Sequence, residues 1–214
     1  AASAVAAAVA TNALFGDMLL QEDLLPAVLE AEASVAGQHA DNVAPALLGG
    51  VVLITGLSIG EIHRLPLPIG VYLVLTTPNI EVKTADARAM LPKTVPLNVL
   101  VHQTGVVAEV VHALHAGNHH LLARAMQRDA VVEPARSALI PKLAEVRHIA
   151  TQAGALATVI SGSGPTLCSL CFTEQDAEAV SRAVTSFYAS EGIDAIGRTV
   201  LPAAEGARVL ETVP

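Results

Sequence analysis

Ala157-Thr158-Val159-Ile160-Ser161-Gly162-Ser163-Gly164-Pro165-Thr166-Leu167-Cys168-Ser169-Leu170-Cys171 decides the fold, because two short β-rich runs flank a turn in which serine and glycine alternate. The pattern predicts strands over 156–160 and 166–172. Glycine at alternate positions lets the backbone adopt positive φ and turn several N–H groups and hydroxyls toward one point, which suits an anionic ligand. A plain glycine hairpin turn explains the same letters.

Downstream, Thr173 with Asp176 three residues on opens a helix over 174–190, with Val180, Val184 and Phe187 at helical spacing and Gly192 beyond its end. Strands are expected over 194–200 and near 206–211. Upstream, a helix over 137–153 carries Leu139, Leu143, Val146 and Ala150 on one face and stops at Gly154. Longer and shorter helices are expected over 96–116 and 84–91. Val51-Val52-Leu53-Ile54 and Val71-Tyr72-Leu73-Val74-Leu75 read as buried strands, and 1–15 and 22–36 as helices ending at Gly16 and Gly37. Leu65-Pro66-Leu67-Pro68-Ile69-Gly70 interrupts any regular element, so a domain junction is placed there, dividing 1–68 from 69–214. Runs of strands with helices on one face predict an α+β protein with a mixed or antiparallel sheet.

The 214 residues are 52% hydrophobic, enough to fill a core, but contain no Trp, two Tyr and three Phe. Stacking platforms for nucleobases are therefore scarce, and a net charge of −8 without basic clusters argues against nucleic acid or an anionic membrane as partner. No apolar run approaches the roughly 20 residues of a membrane span, and the Ala-rich opening lacks the charged start of a signal peptide. The expectation is an intracellular protein. Ala1-Ala2-Ser3-Ala4 begins without Met and without an N-cap, as if in mid-helix, so a missing upstream part is expected.

Three further groups carry candidate chemistry. His39-Ala40-Asp41-Asn42 follows a helix bearing Glu30 and Glu32, so short polar side chains at an element end can converge on one ligand while a glutamate faces a metal. An Asx-type cap beside a solvated acidic face is the alternative. Arg88 and Arg136 have planar forks that match a carboxylate, or they serve as surface ion-pair partners. Cys168 and Cys171 have CxxC spacing, but three residues along a strand turn the sulfurs to opposite faces, so both read as small core residues. His112, His115, His119 and His120 read as a solvated helix end and not as a zinc site.

His-Ala-Asp-Asn-Val-Ala-Pro-Ala (39–46), Thr84 with Ala87-Arg88, Glu-Pro-Ala-Arg (133–136) and Ile-Ser-Gly-Ser-Gly-Pro-Thr-Leu (160–167) occur in the order seen in homoserine kinases, which the chain resembles over essentially its whole length. These belong to the superfamily that also includes galactokinase and mevalonate kinase. The resemblance implies the remainder of an N-terminal ATP-binding domain followed by a ferredoxin-like α+β domain. It implies ATP and Mg²⁺ as cofactors and L-homoserine as the small-molecule substrate, phosphorylated on the route to threonine. It places Glu32 as the metal ligand with Glu30 as fallback. Asp41 and Asn42 lie beside the reacting hydroxyl and γ-phosphate, and Arg88 and Arg136 on the homoserine carboxylate. Thr84 and His39 support the pocket, and Gly162, Ser163 and Gly164 shape it. Ala1 and Ser3 resemble the residues that follow the family's phosphate loop, so this chain is expected to be incomplete and inactive alone. Another small hydroxy substrate, or a non-catalytic binding module, are the rival expectations. A homodimer, and a cytoplasmic or plastid location, come from the resemblance alone.

Overall fold

The structure, a computed structural model, describes residues 1–211, with side chains throughout except at 35 and 36. The chain folds as two compact units, one formed by Ala1–Leu67 with residues 203–211, the other by Pro68–Pro202.

In the first unit, α1 (Ala2–Leu14), α2 (Leu25–Ala36) and α3 (Val43–Leu48) gather around Val5, Leu25, Val28, Val43, Ala44 and Leu47, all nearly fully buried. Alanine over much of α1 leaves little side-chain bulk, so its one fully buried residue, Val5, suffices to seat it on the other helices. Gln21–Leu24 forms a 3₁₀ turn before α2, where Pro26 fits in the first turn because that N–H has no intrahelical partner. β1 (Val51–Ile54) pairs antiparallel with β2 (Ile62–Leu65). That second strand escapes the sequence pattern, since glycines and a proline surround it.

The second unit is built on a four-stranded antiparallel sheet of order β4-β5-β3-β6, from β3 (Tyr72–Pro78), β4 (Ala157–Ile160), β5 (Leu167–Cys171) and β6 (Ala195–Val200). α8 (Leu143–Gln152) and α9 (Glu174–Ser190) share a core with one face of it, where Val74, Leu167 and Cys171 meet Val146, Ala150, Val180, Val184 and Tyr188. The second of these helices begins at its expected residue because the Thr173 hydroxyl accepts from the Asp176 N–H at 3.0 Å. α4 (Thr84–Ala89), α5 (Leu97–His115), α6 (His119–Met126) and α7 (Val132–Arg136) occupy the crossover between β3 and α8. The helices and antiparallel sheets make the molecule α+β, as the pattern predicts.

Two expectations are corrected. The helix expected over 137–153 splits into a 3₁₀ turn, Ser137–Leu139, and α8, because Pro141 lacks an N–H and Lys142 takes φ +58°. No strand forms near 206–211. Pro202 ends the pairing of β6, and the chain then packs with the first unit, where the Gly50 N–H donates to Ala203 O (2.8 Å) and the Ala207 N–H to Ala46 O (2.9 Å). A residue with a Cβ could not follow this path at Gly206, since that carbon would stand 2.0 Å from Leu47 O.

α5 is long and apolar enough to cross a membrane by length and composition, with mean hydropathy 1.2. Its polar residues, however, bind it to neighbouring protein. Glu109 pairs with Arg124 at 2.5 Å and with Arg128, His102 Nε2 lies 3.0 Å from Arg128 O, and Gln103 accepts from the Ala130 N–H. These contacts tie one side of α5 to α6 and the residues just after it, while only 17% of the helix is buried and Leu97, Leu100, Val101 and Val107 stay exposed.

Candidate active site

The two units each carry part of the predicted residue set. In the first, the buried side chains of Ala40, Val43 and Ala44 fix the entrance to α3 in the core, and this leaves His39, Asp41 and Asn42 exposed between them. The Ala44 N–H donates to Ala40 O at 2.8 Å, so the helix starts without help from a side chain. Asn42 precedes α3 directly but makes no capping hydrogen bond to it through its side chain. Glu32 sits on α2 with its carboxylate 2.7 Å from the Ala1 nitrogen, so it lies beside the N-terminal end of α1. Glu30 is exposed two residues earlier, and Ser3 is exposed on the first turn of α1. Among the described residues, no group of three or more His, Cys, Asp or Glu gathers as a metal cage. A cavity of about 630 Å³ between α1 and α2 is lined by Ala, Leu, Phe and Met with Thr11 and Asn12, and includes none of the predicted site residues.

The second unit brings three separate motifs together at one guanidinium. Arg136, half-buried at the end of α7, donates from Nε to Ala87 O (3.3 Å) and from Nη1 to Gly162 O (2.9 Å). Ala87 is the buried neighbour of Arg88 on α4, and Thr84 opens the same helix. The residues 87–88, 136 and 162, far apart in sequence, are thus tied within one unit. These two bonds use two of the five guanidinium N–H groups of an arginine and fix the plane of the fork.

The glycine turn is closed by the Ser161 N–H to Thr166 O (2.9 Å) and the Gly164 N–H to Ser161 O (3.0 Å). Gly162 and Gly164 take φ +61° and +82°, the left-handed region that alternating glycine anticipates. The Ser163 hydroxyl donates to Gly164 O (3.3 Å), and Thr166 Oγ1 lies 2.8 Å from Thr77 Oγ1, joining the turn to the end of β3.

Residues to which the sequence alone assigned no role hold α7 in place. Asp129 accepts from the N–H groups of Val131, Val132 and Glu133, and Glu133 pairs with Arg147 of α8, whose Nε donates to Thr158 O (3.1 Å). Burial pulls the Arg147 guanidinium below its usual value, but an arginine remains charged there. An Asp just before a short helix is a legible cap signal. Nothing in the sequence pairs Glu133 with Arg147.

The cysteines behave as core residues and the histidines lie at an exposed helix end. Cys171 is fully buried and Cys168 half-buried, and burial pushes both thiols up to about 11. His119 and His120 both meet Phe172 edge to face.

Comparison with known proteins assigns the frame. Residues 1–50 match the GHMP kinases N terminal domain and 110–190 the GHMP kinases C terminal domain. A homoserine kinase of Chlorobaculum tepidum is 38% identical over 215 residues, covering 99% of this chain and 66% of the relative. One of Arabidopsis thaliana is 36% identical over 96% of this chain and 56% of the relative. The chain therefore spans less than two thirds of the length of these relatives. The crystal structure of homoserine kinase from Cytophaga hutchinsonii superposes with a TM-score of 0.86 at 38% identity, over 92% of this chain and 62% of that one. L. major mevalonate kinase, crystallised with R-mevalonate, shares the fold alone, with a TM-score of 0.74 at 19% identity. With both domain signatures in order on an α+β scaffold and relatives near 38% identity along nearly all its length, the chain belongs to the GHMP kinase family.

Proposed function

We propose that the full-length protein carrying this chain transfers the γ-phosphoryl group of ATP to the side-chain hydroxyl of L-homoserine, giving O-phospho-L-homoserine, the step that serves threonine synthesis. The observation that supports it most is the convergence of α4, α7 and the glycine turn on Arg136, with Arg88 one residue from the carbonyl that Arg136 holds. An arginine held by two main-chain carbonyls, with a second arginine adjacent to one of them in sequence, suits a substrate carboxylate, which a simple sugar does not carry. The relatives named homoserine kinases support the same substrate.

In this reading Arg88 and Arg136 hold the carboxylate, and Thr84 and the turn at Gly162, Ser163 and Gly164 bound the site in the second unit. In the first unit Asp41 accepts the proton of the attacking hydroxyl, and Asn42 donates its amide to the transferred phosphoryl oxygens. His39 supports the loop that presents them. Residues at the start of α1, Ala1 and Ser3 among them, present N–H dipoles of the sign that favours phosphate. Glu32 stands beside that helix end, and a single carboxylate fits Mg²⁺, which keeps waters and takes its remaining ligands from phosphates. Mg²⁺ when bound neutralises charge on the phosphate oxygens. The protein's own share is alignment and charge complementarity, with no strong base required.

Arg88→Ala tests the clamp. Loss of a charge-assisted pair of about 1.5–3 kcal/mol raises the KM for homoserine roughly ten- to a hundredfold and leaves that for ATP unchanged. Arg136→Ala goes further, because it also releases the Ala87 and Gly162 carbonyls. An equal rise in both KM values, or none for homoserine, refutes the assignment.

A further inference from the structure

We infer that Asp129, Glu133 and Arg147 are positioning residues that aim Arg136, so that β4 and α8 set the direction of the carboxylate-binding guanidinium; the kinetic part of this inference rests on the homoserine reading above. α7 has five residues, too few to hold a helical orientation unaided, so its ends must be fixed from outside. At its start both oxygens of Asp129 are used. Oδ1 accepts from Val131 (2.9 Å) and Val132 (3.1 Å), and Oδ2 from Glu133 (2.7 Å). This fixes where α7 begins.

Its rotation is fixed by a second device. Glu133 and Arg136 are three residues apart and lie on one side of a helix, so pinning the first side chain constrains the second. The Glu133 side chain is only 12% exposed and pairs with Nη2 of Arg147, while Arg147 Nε donates to Thr158 O on β4 (3.1 Å). The pin runs from the sheet through Arg147 and Glu133 to α7 and ends at Arg136, whose guanidinium then reaches Ala87 O and Gly162 O. Neither member of the Glu133–Arg147 pair need touch a substrate for this effect.

The test is made on the full-length protein with Glu133→Gln, Asp129→Asn and Arg147→Lys, each alone, together with Arg136→Ala and the double variant Glu133→Gln/Arg136→Ala. Glu133→Gln keeps the shape but loses the charge, and the KM for homoserine rises about tenfold with the KM for ATP unchanged. Asp129→Asn, with one accepting oxygen in place of two, moves it the same way. The double variant is no worse than Arg136→Ala alone. A fall in kcat at unchanged homoserine KM, or losses that multiply in the double variant, reduces these residues to fold maintenance and overturns the inference. The Nε–H resonance of Arg136 gives a reading free of any substrate: slow exchange with solvent in the parent, fast exchange in Glu133→Gln. Retained protection overturns the positioning role. Lost protection combined with a homoserine KM indifferent to Arg136→Ala keeps the positioning role and refutes the substrate assignment. Should Glu133→Gln fail to fold, Arg147→Lys keeps the charge but loses the fork that spans Glu133 and Thr158, and carries the same two readouts.

Discussion

Replacing Gly206 by alanine tests the least expected packing in the fold. The added Cβ would stand 2.0 Å from Leu47 O, 2.4 Å from Leu47 C and 2.8 Å from Leu48 N, all main-chain atoms at the end of α3. Leu47 is fully buried and Leu48 nearly so, so α3 cannot withdraw. The segment from Ala203 must lift instead. Lifting it breaks the bonds from Gly50 N–H to Ala203 O (2.8 Å), from Ala207 N–H to Ala46 O (2.9 Å) and from Gln21 Nε2 to Ala207 O (2.7 Å). At about 1 kcal/mol net for each, Gly206→Ala destabilises the first unit by about 3 kcal/mol. Urea denaturation followed by a probe in the first unit reads the loss, and hydrogen exchange at the Gly50 and Ala207 amides locates it. Gly105→Ala is the matched control: its Cβ meets nothing within 4 Å on α5, and it stabilises by about 0.5–1 kcal/mol. Gly206→Ala within about 0.5 kcal/mol of the parent, with both amides still protected, would refute the close approach.

Other expectations are as direct. Thr158 Oγ1 and Ser169 Oγ lie 2.8 Å apart as buried cross-strand partners, so Ser169→Ala alone strands a hydroxyl and costs about 1–3 kcal/mol, whereas Thr158→Val with Ser169→Ala is nearly neutral in denaturation. Gly162→Ala meets no atom within 4 Å and costs only its left-handed backbone, about 1 kcal/mol, while Gly164→Ala also drives a carbon to 2.7 Å from buried Ile140 and costs about 1–3 kcal/mol more. The thiols of Cys168 and Cys171 titrate at about 11 when folded, against a usual 9.0. Between those values the unfolded chain has released protons that the folded one keeps, so stability falls as pH rises from about 9 to 11. Replacing both cysteines by alanine flattens that slope in denaturation curves run across the window.

Much of the second unit was legible because its signals are local. Thr173 with Asp176 marks the start of α9, alternating serine and glycine mark the turn between β4 and β5, and Gly154 ends α8. What escaped depends on contacts distant in sequence. β2 forms only because β1 offers it a partner, and the residues after Pro202 read as a strand until Gly206 is seen against Leu47. The site shows the same division. Arg136 and Gly162 were visible as motif residues, but that one holds the other's carbonyl was not. Glu133 was visible only as part of the Glu-Pro-Ala-Arg stretch, since its partner Arg147 lies on another helix and carries no signal of its own.

The proposed function stands or falls on a hydroxy amino acid being the acceptor. Purified full-length protein, given ATP with Mg²⁺, is assayed for phosphoryl transfer to L-homoserine, mevalonate and galactose in parallel, with product identified by ³¹P NMR. The expected result is O-phospho-L-homoserine as the preferred product, with kcat/KM for homoserine lowered roughly ten- to a hundredfold in Arg88→Ala. Preferential phosphorylation of mevalonate or the sugar, or a homoserine kcat/KM indifferent to Arg88→Ala, would contradict it.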